Sequence, residues 1–299
     1  MERSGVLITG ATGFIGRNLA RRLRQRGETV AAIVRPESEI GFLTDMGVAC
    51  HIHDGTADGL ADILAGICPE TVFHLASRFI AEHKPSDIES LISTNLHFAT
   101  QLVDAMARTG VNQLVNTGTS WESLSDAVAE PVCLYAATKA AFQPIMDYYR
   151  SAHGLKTVTL KLYDTFGPDD PRPKLISLLQ KISASGELFD MSGGDQIICP
   201  LYIDDVTAGF EQAAREVQRL AAGEGRSYAL PGPERLSLRD FVALFSDVFG
   251  RQPQINWGAR PYRAREVMSP WTGPVLPDWH AAITLRDGLA LTLKRTDNV

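Results

Sequence analysis

The chain has 299 residues, 44% of them hydrophobic and 21% charged, which is enough for a full core and two lobes and excludes a disordered or fibrous protein. Its 35 acidic and 29 basic residues leave a net charge of −6, excluding the broad basic surface of a nucleic-acid binder, so any anionic ligand must be met by individually placed arginines. The apolar part of "MERSGVLITG" is too short for a secretory leader and no later stretch reaches bilayer-spanning length, so a cytoplasmic protein without a membrane partner is expected.

Residues 6–9 form a short apolar run that meets Gly10, and Ile15, Leu19 and Leu23 then recur at helical spacing. This is a strand, a glycine-rich turn and a helix. Gly10, Gly13 and Gly16 let the backbone approach a pyrophosphate, and the first N–H groups of the helix face its charge. Thr12, Phe14 and Ile15 belong to the same turn. A second apolar run, 29–34, follows at βαβ distance, and a third, 48–52, leads to Asp54 and Gly55. At the end of the second run an acidic residue would bind a free ribose 2′-OH, whereas an arginine accommodates a 2′-phosphate. Arg35 stands there, favouring NADP(H), while Glu37 and Glu39 keep NAD(H) open.

Cysteines at 50, 68, 133 and 199 form no close pair and read as reduced packing residues. His51 and His53 alternate along the third run, but no second ligand cluster accompanies them, so no metal is expected. Further strands are expected at 71–77, 112–120 and 156–168, with helical stretches between, one of them over 95–107. Alternation of this kind predicts an α/β fold, a doubly wound parallel Rossmann sheet whose ligands sit beyond the carboxyl ends of the strands. Tyr135 and Lys139 are four residues apart in an alanine-rich helical run and so share a face. A cation beside a phenol favours the phenolate, which suits proton exchange with a ligand.

In chain order, "TGATGFIG", "HLAS", Asn95, "NTGTS", "YAATK", "LKLYDTFGP" and "LYIDDV" resemble the extended short-chain dehydrogenase/reductase family, which comprises nucleotide-sugar epimerases, dehydratases and ketoreductases. The resemblance implies that Tyr135 exchanges a proton with a sugar oxygen, that Lys139 holds the nicotinamide ribose, and that a threonine after the fifth strand bonds the same oxygen. Thr117 is the first candidate and Thr119 the second. The implied cofactor pocket takes in the glycine turn, Arg35, Asp54, Gly55, Leu75, Ala76, Ser77, Asn95 and Tyr163, together with Tyr135 and Lys139. Implied substrate contacts are Arg78, Thr119, Asp164, Lys174 and Arg263.

Dehydratases of the family carry an Asp-Glu pair after the catalytic threonine, and Gly118-Thr119 stands after Thr117 here, so hydride transfer without dehydration is expected. "NTGTSWE", "LYAATKAAF" and "LYDTFGPDDPRPKLI" resemble 4-ketoreductases of the CDP-abequose and CDP-paratose synthase type, implying an NDP-4-keto-6-deoxy sugar substrate. An NDP-sugar 4-epimerase with tightly held NAD is the alternative. A non-catalytic NADP-binding sensor is a third reading, disfavoured by the intact Thr/Tyr/Lys set. The family often has an arginine where this chain has Ile198, so the diphosphate must be met by Arg263 and Lys174 first, or by Arg172, Arg260 and Arg265.

The Rossmann domain is expected over 1–166 and a substrate-binding lobe over 167–299, with a helix at 202–220 packing back on the former. Ser237 is a plausible N-cap for a helix with Phe241, Leu244, Phe245 and Val248 inward. Residues 270–279 read as coil before a closing helix at Leu285. A homodimer through the helices carrying Asn95 and Tyr135 follows from the resemblance alone.

Overall fold

The computed structural model describes residues 5–127 and 130–294. The strands are β1 (Val6–Thr9), β2 (Val30–Val34), β3 (Ala49–Ile52), β4 (Thr71–His74), β5 (Gln113–Thr119), β6 (Lys156–Leu162), β7 (Thr165–Phe166), β8 (Phe189–Met191), β9 (Ile197–Ile198), β10 (Leu201–Tyr202), β11 (Gly225–Leu230), β12 (Leu236–Ser237) and β13 (Ile255–Trp257). The helices are α1 (Phe14–Gln25), α2 (Gly41–Asp45), α3 (Ala57–Ile67), α4 (Ile88–Ile92), α5 (Phe98–Thr109), α6 (Leu134–His153), α7 (Leu175–Ser185), α8 (Ile203–Arg219), α9 (Leu238–Phe249) and α10 (Leu285–Lys294).

Seven strands form one sheet in the order β11-β6-β5-β4-β1-β2-β3, and every pairing within it is parallel. Parallel strands need crossovers, and the helices that supply them cover both faces, so β1, β2 and β4 are apolar and almost wholly buried. On one face Phe73 meets Phe210 of α8 edge-on, within a core shared with α1. On the other, Val72 and Leu114 pack with Leu64, Leu102 and Met146 from α3, α5 and α6. Strand order reverses between β1 and β4, which opens a crevice at the carboxyl ends of the central strands.

Two expected strands are shorter than the apolar runs that announced them. β4 stops at His74, because Leu75 N–H still bonds Thr9 O but Ala76 N–H turns to the Thr9 side chain, and the chain leaves the sheet. The run at 156–168 divides into β6 and β7. Tyr163 and Asp164 break out between them, since β7 pairs with β10 rather than with the main sheet. The expected helix at 95–107 starts in a wide turn, Ser93–His97, with π-type hydrogen bonding before α5.

The helix expected at 202–220 appears as α8 and returns to pack on the main sheet beside α1. Its buried Glu211 takes Arg22 at 2.6 Å and Arg26 at 2.9 Å from α1. β11, which periodicity did not single out, then completes the main sheet beside β6, so the chain crosses the expected boundary at 166 twice. The remainder is a lobe of α7, α9, α10 and the two-stranded pairs β12-β9 and β13-β8. Ser237 caps α9 as expected, its hydroxyl accepting Asp240 N–H at 3.0 Å; Phe241 and Phe245 are fully inside, and Leu244 and Val248 are half-buried.

The coil before α10 is tied down by the second aspartate of "YIDDV". Asp205 is buried; its carboxylate accepts Ile283 N–H at 2.9 Å and its carbonyl accepts the Trp279 indole N–H at 3.2 Å. Asp205→Ala would leave a half-buried backbone donor, Ile283 N–H, without this partner. It should cost about 1–3 kcal/mol, seen as a lower denaturant midpoint with an unchanged slope.

Candidate active site

The glycine turn is shaped by backbone contacts that no side chain could share. Gly10 has φ +72°, and a Cβ there would stand 2.6 Å from Ala76 N. At Gly16 a Cβ would stand 2.1 Å from Gly10 O. The turn is thereby packed onto the chain leaving β4, and α1 begins at Phe14 with no side-chain cap and no acidic residue in its first turn. Its leading N–H groups are left for an anion, and a diphosphate fits them by charge and by position at the sheet's carboxyl edge. The Arg172 guanidinium lies 4.5 Å over the Phe14 ring and adds a cation beside the turn.

A cleft of about 470 Å³ runs from this turn into the second lobe. Gly10, Gly13, Phe14, Ile15, Gly16, Leu75, Ser77, Thr117, Thr119, Tyr135, Tyr163, Asp164, Lys174 and Arg263 all line it, so most of the expected residues converge. Thr12, Ala76, Arg78, Asn95 and Lys139 lie outside its walls. Asn95 acts from behind: its side-chain oxygen accepts Ser77 Oγ–H at 3.1 Å and Arg78 N–H at 2.7 Å, while its amide donates to Arg78 O and to Thr138. It fixes the segment after β4, which explains why it is buried on a wide turn. Arg35 extends into solvent from the end of β2, 3.1 Å from Glu37, and Asp54 caps the turn into α3 by accepting Thr56 N–H at 2.8 Å, next to Gly55.

Tyr135 is the second residue of α6 and Lys139 stands one turn further on; both are buried. The Ser77 and Thr119 hydroxyls lie close enough to the phenol to lower its pKa by hydrogen bonding, and the Phe79 ring meets it edge-on at 4.9 Å. The tyrosine contact therefore goes to Thr119, the second candidate, whereas the Thr117 hydroxyl is buried without a hydrogen-bond partner. The expectation that the ammonium would acidify the phenol is corrected. Burial comes first and raises the Tyr135 pKa well above the ordinary tyrosine value, the Glu122 carboxylate adds to the rise, and only the bonds from Ser77 and Thr119 oppose it. Burial also lowers Lys139 to about 8, against the pull of Glu122. His74, behind the pair, is brought down to about 3 by burial and by Lys139, so it is neutral; its Nδ1 lies 2.8 Å from the Thr9 hydroxyl.

On the far side, Phe79, Trp121 and Val132 make an apolar wall beside Tyr135, which no motif announced. Lys174 places its ammonium 5.8 Å from the Phe79 ring, and burial lowers its pKa. Arg263 lies 3.1 Å from Glu82 and Arg265 3.1 Å from Glu130, so two cationic candidates reach the cleft from one coil. Arg172 forks onto Asp170 while lining the cleft. Arg260 stacks on Phe189 instead and is not part of the wall. Ile198 also faces the cleft, so the missing family arginine leaves an apolar spot. The Tyr163 hydroxyl donates to Trp271 O, which turns it toward the second lobe. Among the described residues no group of His, Cys, Asp or Glu could hold a metal ion, and no helix is long and apolar enough to cross a membrane.

Comparison with known proteins agrees with this geometry. The NAD dependent epimerase/dehydratase family profile matches residues 6–229, and the chain belongs to that family. CDP-abequose synthase of Yersinia pseudotuberculosis is 24% identical over 89% of this chain and 91% of its own length. dTDP-glucose 4,6-dehydratase of Streptomyces griseus is 26% identical over 86% and 81%. The fold superposes on UDP-glucose 4-epimerase of Thermotoga maritima, solved with UDP-glucose, at a TM-score of 0.85, with 18% identity and 98% of each chain covered. It superposes on UDP-glucose 4-epimerase of Thermus thermophilus, solved with NAD, at 0.81, with 21% identity over 98% of this chain and 99% of that one. The chain is thus an enzyme of the NAD dependent epimerase/dehydratase family, built on a Rossmann-type sheet.

Gly16→Ala forces a methyl group onto the Gly10 carbonyl. It should weaken dinucleotide binding at least about tenfold, measured by titrating NADPH fluorescence. Unchanged affinity would separate this turn from the cofactor.

Proposed function

We propose that the chain is an NADPH-dependent reductase of a nucleotide-diphosphate-activated 4-keto-6-deoxy sugar, working as a cytoplasmic homodimer. The observation that carries the reading is Tyr135, beside Thr119 and one turn from buried Lys139, on the wall of a cleft that begins at an uncapped glycine turn. Thr119 is followed by Ser120-Trp121, and Thr117 by Gly118-Thr119, so neither threonine precedes the carboxylate pair that eliminating water would use.

The bound reduced nicotinamide supplies the hydride. Tyr135 O–H donates the proton to the ketone oxygen as it becomes an alkoxide, and the Thr119 hydroxyl, as the partner of the same phenol, steadies that oxygen. Lys139, buried one turn along α6, would offset the negative charge left on the phenol once its proton is given up, and is the residue that would hold the cofactor ribose. The apolar wall of Phe79, Trp121 and Val132 suits a sugar that carries a methyl group at C6. Lys174 and Arg263, with Arg265 beside them, are placed for the diphosphate. Arg35, three-quarters exposed at the end of β2, supports the 2′-phosphate form of the cofactor. Ile88 and Ile92 on α4 and Tyr148 on α6 are exposed, which supports pairing of two copies through these helices.

Four measurements test this. Wild-type protein should oxidise added NADPH in the presence of CDP- or dTDP-4-keto-6-deoxyglucose; tightly held NAD with no NADPH consumption would make it a 4-epimerase instead. Tyr135→Phe should lose about a hundredfold or more in kcat with NADPH affinity kept, since only the transferred proton is removed. Turnover should decline as pH rises through about 8, because Lys139 carries its charge below that value and loses it above. Arg35→Ala should weaken NADPH several-fold while leaving NADH unchanged, by fluorescence titration of both.

A further inference from the structure

Glu122, the last residue of "NTGTSWE", has a built seat and no role in the proposed reduction so far. It closes the one-turn helix Ser120–Glu122 that follows β5, and its Oε1 accepts the backbone N–H of Thr119 at 2.8 Å. Its Oε2 lies 3.2 Å from Lys161 Nζ on β6, with the two side chains only 11% and 18% exposed. Lys161 is in register with Gly118, and a Cβ on Gly118 would stand 2.8 Å from Glu122 Oε1, so that glycine makes the room for the carboxylate. On its other side the Lys161 ammonium is covered by the Trp271 ring at 4.7 Å. The residue that Glu122 grips through the backbone is the one whose hydroxyl bonds Tyr135.

We propose that Glu122 is the positioning residue of the catalytic pair: it fixes Thr119 against Tyr135 and, as the carboxylate facing the pair, keeps both groups loaded with protons for ketone reduction. The inference rests on the reductase reading, because reduction consumes a proton whereas the reverse direction needs the phenolate. The groups facing the pair are Ser77 after β4, neutral His74 on β4, Thr119 on β5 and Cys133 at the head of α6; Glu122 supplies the negative charge. Its charge favours the ammonium of Lys139 and the un-ionised phenol of Tyr135 alike. Lys161 tempers that charge without cancelling it.

Glu122→Gln keeps the oxygen that holds Thr119 and removes the charge, and Lys161→Met leaves the charge untempered. The test is the pH profile of kcat/KM with NADPH and CDP-4-keto-6-deoxyglucose, read beside a carbon NMR titration of the Lys139 side chain, assigned by its loss in Lys139→Arg. E122Q should move the alkaline limb and the Lys139 midpoint down by about half a pH unit or more, and K161M should move both up. Equal loss of rate at every pH, with neither midpoint moved, would reduce Glu122 to a structural strut and overturn the proposal. The NMR midpoints need no substrate, so a failure of the reductase reading would show as absent turnover while the opposite shifts in E122Q and K161M persisted.

Discussion

Taking the Lys139 ammonium out of water beside Tyr135 sets the terms for the rest of the site. Lowering that group from 10.5 to about 8 corresponds to roughly 3 kcal/mol against the charged folded form, a cost present below pH 8 and relieved as pH climbs toward 10.5. The same dryness holds the phenol in its protonated state. What the surroundings add are polar neighbours: Ser77 and Thr119 beside the hydroxyl, the field of the Glu122 carboxylate, and a neutral histidine behind. Each of these is held in turn by something else. Asn95 grips Ser77, Glu122 grips Thr119, and Thr9 stands against His74. The arrangement here is the outcome of a second layer of bonds, laid by elements far apart in the chain.

Topology puts those elements within reach of each other. The reversal of strand order between β1 and β4 leaves a gap at the carboxyl edge, and the glycine turn, the segment after β4 and the end of β5 all open into it. The second lobe closes the far side with α7 and the coil that bears Arg263 and Arg265. It is tied to the sheet side where Thr272 N–H bonds the Asp126 carboxylate in the loop before α6, while on that side Glu211 holds α8 to Arg22 of α1 and to Arg26 just after it.

Much of this was legible beforehand, for physical reasons that differ by residue. Gly10 and Gly16 could be read because only glycine tolerates the approach their positions demand, and Tyr135 with Lys139 because helical spacing fixes their common face. Local periodicity placed α8 and α9, with Ser237 as cap. It could not tell Thr117 from Thr119, since alternate strand residues share a side and only the distance along the strand separates them. Nor could it forecast the pKa direction at Tyr135, which depends on burial and on Glu122, a residue whose partner lies on the next strand. Phe79, Trp121 and Val132 come from separate segments, and nothing in the linear order ties them into one wall. β11 escaped notice because a run of glycine, arginine, serine, tyrosine, alanine and leucine shows its strand character only once β6 lies alongside.

The position of β11 also dictates when the molecule can become itself. Its six residues sit at the margin of the principal sheet although they are made long after the other six strands, and α8, which shields one side of that sheet, emerges just ahead of them. A nascent chain that stops short of Leu230 leaves the rim of β6 bare and the flank beside Phe73 uncovered. Synthesis must run through about three quarters of the polypeptide before the principal sheet has all its own parts. A truncated first half would expose an open strand to its neighbours, the condition under which sheets stick to one another.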